Sequence, residues 1–145
     1  MDYGAIPDLE DSGTAFTNAD AVAAALEAAN LAGETDREVL VPANYNFTFM
    51  PIVVSGLNDI TITVDGTLLA CKNYLDYPHP EGGGDSPDLI VFSEITNLLW
   101  QGTGVIDGQG FMWWQREYLQ KNIYGRPHLH TLKHSRNVEY TGIKW

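Results

Sequence analysis

The chain has 145 residues, 44% of them apolar, and a formal charge of −11. That length supports one domain with a real core. No run of roughly 18 apolar residues reads as a membrane span, and the acidic balance argues against general nucleic-acid binding. The charge is uneven. Residues 1–40 hold nine acids and one base, Arg37, whereas residues 116–145 hold six bases against Glu117 and Glu139. The second stretch is suited to a polyanionic ligand, or is an ordinary solvated surface of mixed charge. Cys71 stands alone, so no disulfide forms within the chain. No charged-then-apolar leader precedes Asp2-Tyr3-Gly4.

The first predicted element is a helix over about 17–30. Thr17 is placed to cap it, Asp20 follows three residues on, and Ala21, Val22, Ala25, Leu26 and Ala29 recur at helical spacing, with Gly33 beyond as a stop. The pattern then changes to short strands over about 38–145. They are Glu38–Val41, Tyr45–Phe49, Ile52–Val54, Ile60–Val64, Leu68-Leu69, Leu89–Phe92, Leu98–Trp100, Val105-Ile106 and Val138–Ile143. Few tight hairpin turns separate them, which favours parallel stacking over a meander.

An internal echo supports stacking. Asn58-Asp59-Ile60-Thr61-Ile62, Thr96-Asn97-Leu98-Leu99-Trp100 and Arg136-Asn137-Val138-Glu139-Tyr140 share a short polar residue, an aliphatic, and a large apolar residue two places on. The polar positions lie 38 and 40 residues apart (59 to 97, then 97 to 137). Between them run two long insertions, the loop excursion Asp76–Pro87 and the aromatic, basic Phe111–Pro127. The expected fold is all-β: one domain, 1–145, built as a right-handed parallel β-helix whose coils bury their apolar residues on one another. The helix at 17–30 would cap its first open edge.

The segment Gln101–Trp114 carries the most specific signal. Gly102, Gly104, Asp107, Gly108 and Gly110 surround the apolar step Val105-Ile106, and Trp113-Trp114 close it. Asp2-Tyr3-Gly4-Ala5, the alanine-rich helix and Val39-Leu40-Val41-Pro42 together resemble the opening of pectin-lyase-like β-helices. Gly104-Val105-Ile106-Asp107-Gly108-Gln109-Gly110 with Trp113-Trp114, Arg126-Pro127, Asn137-Val138 and Thr141-Gly142-Ile143 is similar to the polygalacturonases of glycoside hydrolase family 28. The resemblance implies a secreted, inverting glycosidase that acts on α-1,4 galacturonosyl bonds of pectin. That chemistry needs two carboxyl groups, one to protonate the leaving oxygen and one to activate water, roughly 6.5–9.5 Å apart.

In the family those groups come from N-T-D and D-D motifs, followed by G-H-G and R-I-K. None has a match here: Asn18-Ala19-Asp20 lies in the predicted helix, and Gly142-Ile143-Lys144 lacks the arginine. No catalytic residue is therefore assigned. The expectation is an N-terminal portion of the enzyme, itself structural, monomeric when complete, and needing no cofactor or metal. Weaker candidates remain for contact with the polysaccharide: Trp114 by stacking, Arg116 and Arg126 by pairing with carboxylates, and His128 at a cleft edge. Each also reads as packing or plain surface. Asp107, flanked by glycines, reads as a turn residue that bonds its own backbone, and Asp59 and Asp65 read likewise. His128, His130 and His134 lack further ligands at metal-binding spacing. Asn46-Phe47-Thr48 is a glycosylation sequon. Two rival functions stay open: a polysaccharide lyase of the same fold, and a non-catalytic glycan-binding or adhesin β-helix.

Overall fold

A computed structural model describes residues 3–33 and 36–145; Asp2 of the opening motif lies outside the described residues. The first helix, α1, spans Ser12–Leu31, five residues longer at its start than the spacing predicts. Asp11, not Thr17, is its N-cap. The Asp11 carboxylate accepts from Thr14 N–H at 2.9 Å and from Thr14 Oγ1 at 2.6 Å. These bonds hold the Asp11 pKa below its ordinary value, and an ionised cap at a helix N-terminus outcompetes a hydroxyl within the next turn. Thr17 is internal and bonds Gly13 O instead. The helix ends at Leu31, and Ala32, in extended conformation, caps it one residue before Gly33.

The buried face of α1 carries Ala15, Ala19, Ala21, Ala25, Leu26 and Ala29, small enough to let the helix lie against the first strands. Thr14 and Asn18 are the polar exceptions, and Asn18 is the deeper of the two. Its Nδ2 donates to Ile6 O and Thr48 O, and its Oδ1 accepts from Ile6 N–H. A fully bonded amide thus pins the N-terminal segment, the helix and a strand at one buried point.

The strands are β1 (Glu38–Val41), β2 (Asn46–Phe49), β3 (Ile52–Ser55), β4 (Asn58–Val64), β5 (Thr67–Ala70), β6 (Gly84–Asp85), β7 (Ile90–Ser93), β8 (Thr96–Gln101), β9 (Val105–Asp107), β10 (Tyr124–Gly125), β11 (His130–Lys133) and β12 (Arg136–Thr141). A second helix, α2, spans Phe111–Tyr118. Every pairing is parallel. The chain visits three sheets in cyclic order. β1, β4, β8 and β12 form the first, β2, β5 and β9 the second, and β3, β7 and β11 the third; β6 and β10 make a small separate pair.

Register follows the echo in the sequence. Ile60 pairs with Leu98 and Leu98 with Val138, while Ile62 pairs with Trp100 and Trp100 with Tyr140. In the third sheet Ile52, Ile90 and His130 form one column, and Val54, Phe92 and Leu132 the next. Alternation along the strands turns these columns inward, so the core is a set of apolar ladders crossing the circuits, with Leu132 and Tyr140 of the last circuit still exposed.

Corners explain the small and polar residues. A Cβ at Gly104 would run into the carbonyls of Gly66 and Val64, and one at Gly102 into Val64 O. Stacked backbones approach so closely at this corner that only glycine fits. At the turn into the first sheet, Asp59, Asn97 and Asn137 all take positive φ (54°, 56° and 52°), a region that short polar residues tolerate best after glycine. Their side chains form a ladder: Asn97 Nδ2 donates to Asp59 Oδ1 at 2.6 Å, and Asn137 Nδ2 to Asn97 Oδ1 at 2.9 Å. Asp65 serves a similar purpose by accepting from Thr103 N–H and Oγ1.

The structure departs from the sequence reading in two further places. The insertion Phe111–Pro127 holds a helix, α2, which its sequence pattern does not signal, and β11 and the β6–β10 pair are further elements beyond the expected strands. The two excursions also pack on one another. Tyr77 and His79 of the first, with Tyr74 in the turn just before it, enclose Trp113 and Tyr124 of the second, with Tyr74–Trp113 centroids 4.8 Å apart and His79 stacked on Tyr124 at 3.9 Å.

Candidate functional site

Both excursions leave the second sheet and return to the third, so they rise on the same side of the molecule. Between them and the strand ends lies an open depression of about 440 Å³. Ala70, Cys71, Leu89 and Leu129 contribute to it, with Asp107, Gly108, Gln109, Gly110, Trp113, Trp114, Arg126 and His128 also on its walls.

Each polar wall residue has an identifiable support. Asp107 ends β9, and its Oδ1 accepts from Gln109 N–H at 2.8 Å, the turn role expected from its sequence. Gln109, at φ 43°, reaches back so that its Nε2 donates to Ala70 O at 2.6 Å. His128 is held by Asp88, whose Oδ1 accepts from both His128 N–H (2.8 Å) and Nδ1–H (2.9 Å). Thr131 Oγ1 donates to the other Asp88 oxygen at 2.5 Å. Burial pushes the Asp88 carboxyl up, but these three hydrogen bonds outweigh it and hold its pKa below the ordinary value. With Nδ1 fixed, His128 keeps Nε2 as its free atom.

Trp114 and Arg126 form a pair at the rim. The guanidinium carbon lies 3.9 Å above the indole, and Trp114 is still 65% exposed. Stacking holds the guanidinium plane while leaving N–H groups along its edge for an anion. Trp113, its neighbour in sequence, is buried against the tyrosines and roots α2.

Of the four candidate contact residues, the structure therefore brings together Trp114, Arg126 and His128. Arg116 is placed elsewhere. Its guanidinium lies 3.9 Å over the Tyr74 ring and donates to Lys121 O, bracing α2 from below. Asn46 opens β2 on the surface, with its Nδ2 donating to Asp8 Oδ1 at 3.1 Å. The histidines are dispersed. His130 faces inward, its Nδ1–H donating to Ile90 O and its Nε2 accepting from Tyr140 OH. His134, at φ 48°, occupies the turn position held by Gly56 and Glu94 in earlier circuits. No group of metal-ligating side chains converges among the described residues.

Sequence reading missed Asp88 and Gln109. Asp88 sits 40 residues before His128, the same interval that relates neighbouring circuits, and that interval was the available signal. Chemically, the depression offers a cation, a histidine, an amide and an aromatic face. Asp107 is the one acid on its walls among the described residues, so it contains no carboxyl pair for acid and base work.

The architecture is thus of a class with most strands in parallel sheets, visited cyclically, with two helices. The sequence profile of the family described as "Glycosyl hydrolases family 28" matches residues 32–145, and the chain belongs to that family. Among curated relatives, a polygalacturonase of Juniperus ashei is 38% identical over 89 residues, covering 60% of this chain and 16% of the relative. A polygalacturonase of Chamaecyparis obtusa is 37% identical over 78 residues, covering 52% and 14%. Polygalacturonase-2 of Solanum lycopersicum is 32% identical over 82 residues, covering 55% and 17%. The matches span less than a fifth of the length of these relatives. No solved structure matches the chain. No described helix is long and apolar enough to cross a membrane.

Proposed function

We propose that this chain supplies the opening circuits of a right-handed parallel β-helix in a secreted polygalacturonase, and one margin of its substrate cleft. Membership of glycosyl hydrolases family 28 carries the reading. In the whole protein, one carboxyl group protonates the leaving oxygen of an α-1,4 galacturonosyl bond while another activates water on the opposite face, with inversion. Those carboxyls belong to residues beyond this chain. Here Trp114 stacks on a sugar ring, Arg126 pairs with a uronate, and His128 Nε2 bonds a hydroxyl or carboxylate.

The depression favours binding over chemistry, since Asp107 is the one acid in it among the described residues. The purified chain should therefore bind a galacturonate trimer without cleaving it. Arg126→Ala should weaken that binding about tenfold, as expected for loss of a charge-assisted contact. Reducing-end release by the pure chain would overturn the assignment of catalysis to other residues, and absence of trimer binding would overturn the cleft margin. The same single acid supports a second reading, a glycan-binding β-helix without catalysis. The whole protein decides between them: inverted product from polygalacturonate supports the hydrolase, and binding without product supports the second.

A further inference from the structure

The inner face of α2 roots in the aromatic box through Trp113, but its outer face stays open to solvent, with Arg126 over Trp114 as its one aromatic–cation contact among the described residues. Phe111, Trp114 and Tyr118 follow one another at i, i+3 and i+7, so they line one side of the helix. They are 72%, 65% and 87% exposed. Three aromatics in a row on a helix outer face are unusual for a surface with no role, because large exposed apolar patches mark interaction sites. The strip rises roughly 10 Å along the helix, about two sugar units.

Its electrostatics select the partner. The chain as a whole repels anions at −11, yet Arg126 lies over Trp114 in the middle of the strip and exposed Lys121 follows its Tyr118 end. The acid on the helix, Glu117, receives a hydrogen bond from Asn122 Nδ2. Flat aromatic faces suit the apolar faces of pyranose rings, and flanking cations suit carboxylates carried on those rings.

We propose that the outer face of α2 is a second anchoring strip for an acidic polysaccharide, continuous with the depression through Trp114 and holding chain that extends past it. This rests on the reading of the depression as a uronate site. A strip that only longer ligands reach adds affinity through effective concentration, so its signature is dependence on ligand length.

The test is calorimetric titration of the intact chain with galacturonate oligomers of three and of about ten units. A neutral maltooligosaccharide of the longer length serves as control. The variant is Phe111→Ala with Tyr118→Ala, whose exposed side chains leave the fold intact by circular dichroism. The expected result is about a tenfold loss of affinity for the longer uronate, unchanged trimer binding, and no binding of the neutral chain. Unchanged affinity for the longer oligomer, with trimer binding intact, overturns the strip and leaves the depression reading standing. An equal loss for both lengths overturns the strip as a separate anchor. Equal binding of the neutral chain overturns the acidic ligand class. Failure of the unaltered chain to bind the trimer overturns the depression reading itself.

Discussion

The side of the molecule that carries the first sheet and the side that carries the two excursions are built by different rules. On the first, each circuit repeats the last: Ile60 under Leu98 under Val138, Gly66 beside Gly104, and Asp59, Asn97 and Asn137 in a ladder. A residue there is fixed by the circuits above and below it. On the second, residues answer only to one another. Tyr74, His79, Trp113 and Tyr124 hold the excursions together by stacking unlike side chains, and only the short β6–β10 pair repeats from one circuit to the next. The repeating side supplies rigidity, and the excursion side is free to carry a site.

The sharpest way to break this contrast is to strike each side once. Gly104→Ala places a methyl group against the carbonyls of Gly66 and Val64. Because the stacked backbones have no room to shift, it should cost about 4 kcal/mol or more, read as a lowered urea midpoint for the whole chain. Trp113→Ala should cost about 3 kcal/mol, but the damage should remain local. Hydrogen exchange should rise across residues 74–85 and 111–125 while β4 and β8 stay protected. A global transition shifted as far by Trp113→Ala as by Gly104→Ala would show that the two sides are one cooperative unit.

Legibility in the sequence follows the same division. The strands of the first sheet and the Asp59, Asn97 and Asn137 positions were readable because stacking imposes a 38-to-40-residue interval that the eye can find. Asp107 was readable because a glycine-flanked acid makes its own turn. The start of α1 lies earlier than the spacing suggests, since Asp11 and Thr17 are both competent caps in sequence, and the ionised Asp11, bonded to Thr14 N–H and Oγ1, takes the role while Ala15 and Asn18 bury behind it. α2 was missed because its one buried anchor, Trp113, is explained by Tyr74 and Tyr77, residues some 36–39 positions away in a different excursion. Arg116 and Arg126 look alike in sequence. The first is drawn onto Tyr74 and the second onto Trp114, and nothing local distinguishes those fates.

A smaller effect tests the ladder alone. Asn97→Ala removes the donor to Asp59 and the acceptor for Asn137, and places alanine at φ 56°. Two exposed hydrogen bonds and the left-handed conformation together predict a loss of about 2 kcal/mol. Asn97→Gly relieves the backbone and should recover about half of it. If glycine does no better than alanine, the ladder's bonds and not its backbone geometry hold the turn.

Acid should separate the two sides most gently. His130 belongs to the stacked core, where burial beside Phe92 and Trp100 lowers its pKa below the ordinary 6.5, against the raising effect of its bond to Ile90 O. The native state keeps it neutral while the unfolded chain takes up a proton. Stability should therefore begin to fall as pH drops below about 6.5, and this loss should stop growing once pH passes below the folded value. Asp88 belongs to the excursion side, and its pKa lies below the ordinary 3.8. Its contribution is present above that value and is lost as pH falls through the lower, folded one. Thermal midpoints measured against pH should show two declines. His130→Phe should flatten the upper one alone, and Asp88→Asn should reduce the lower one alone, to which Asp11 also contributes. A single decline that both substitutions alter equally would mean that the excursions and the stacked core titrate together.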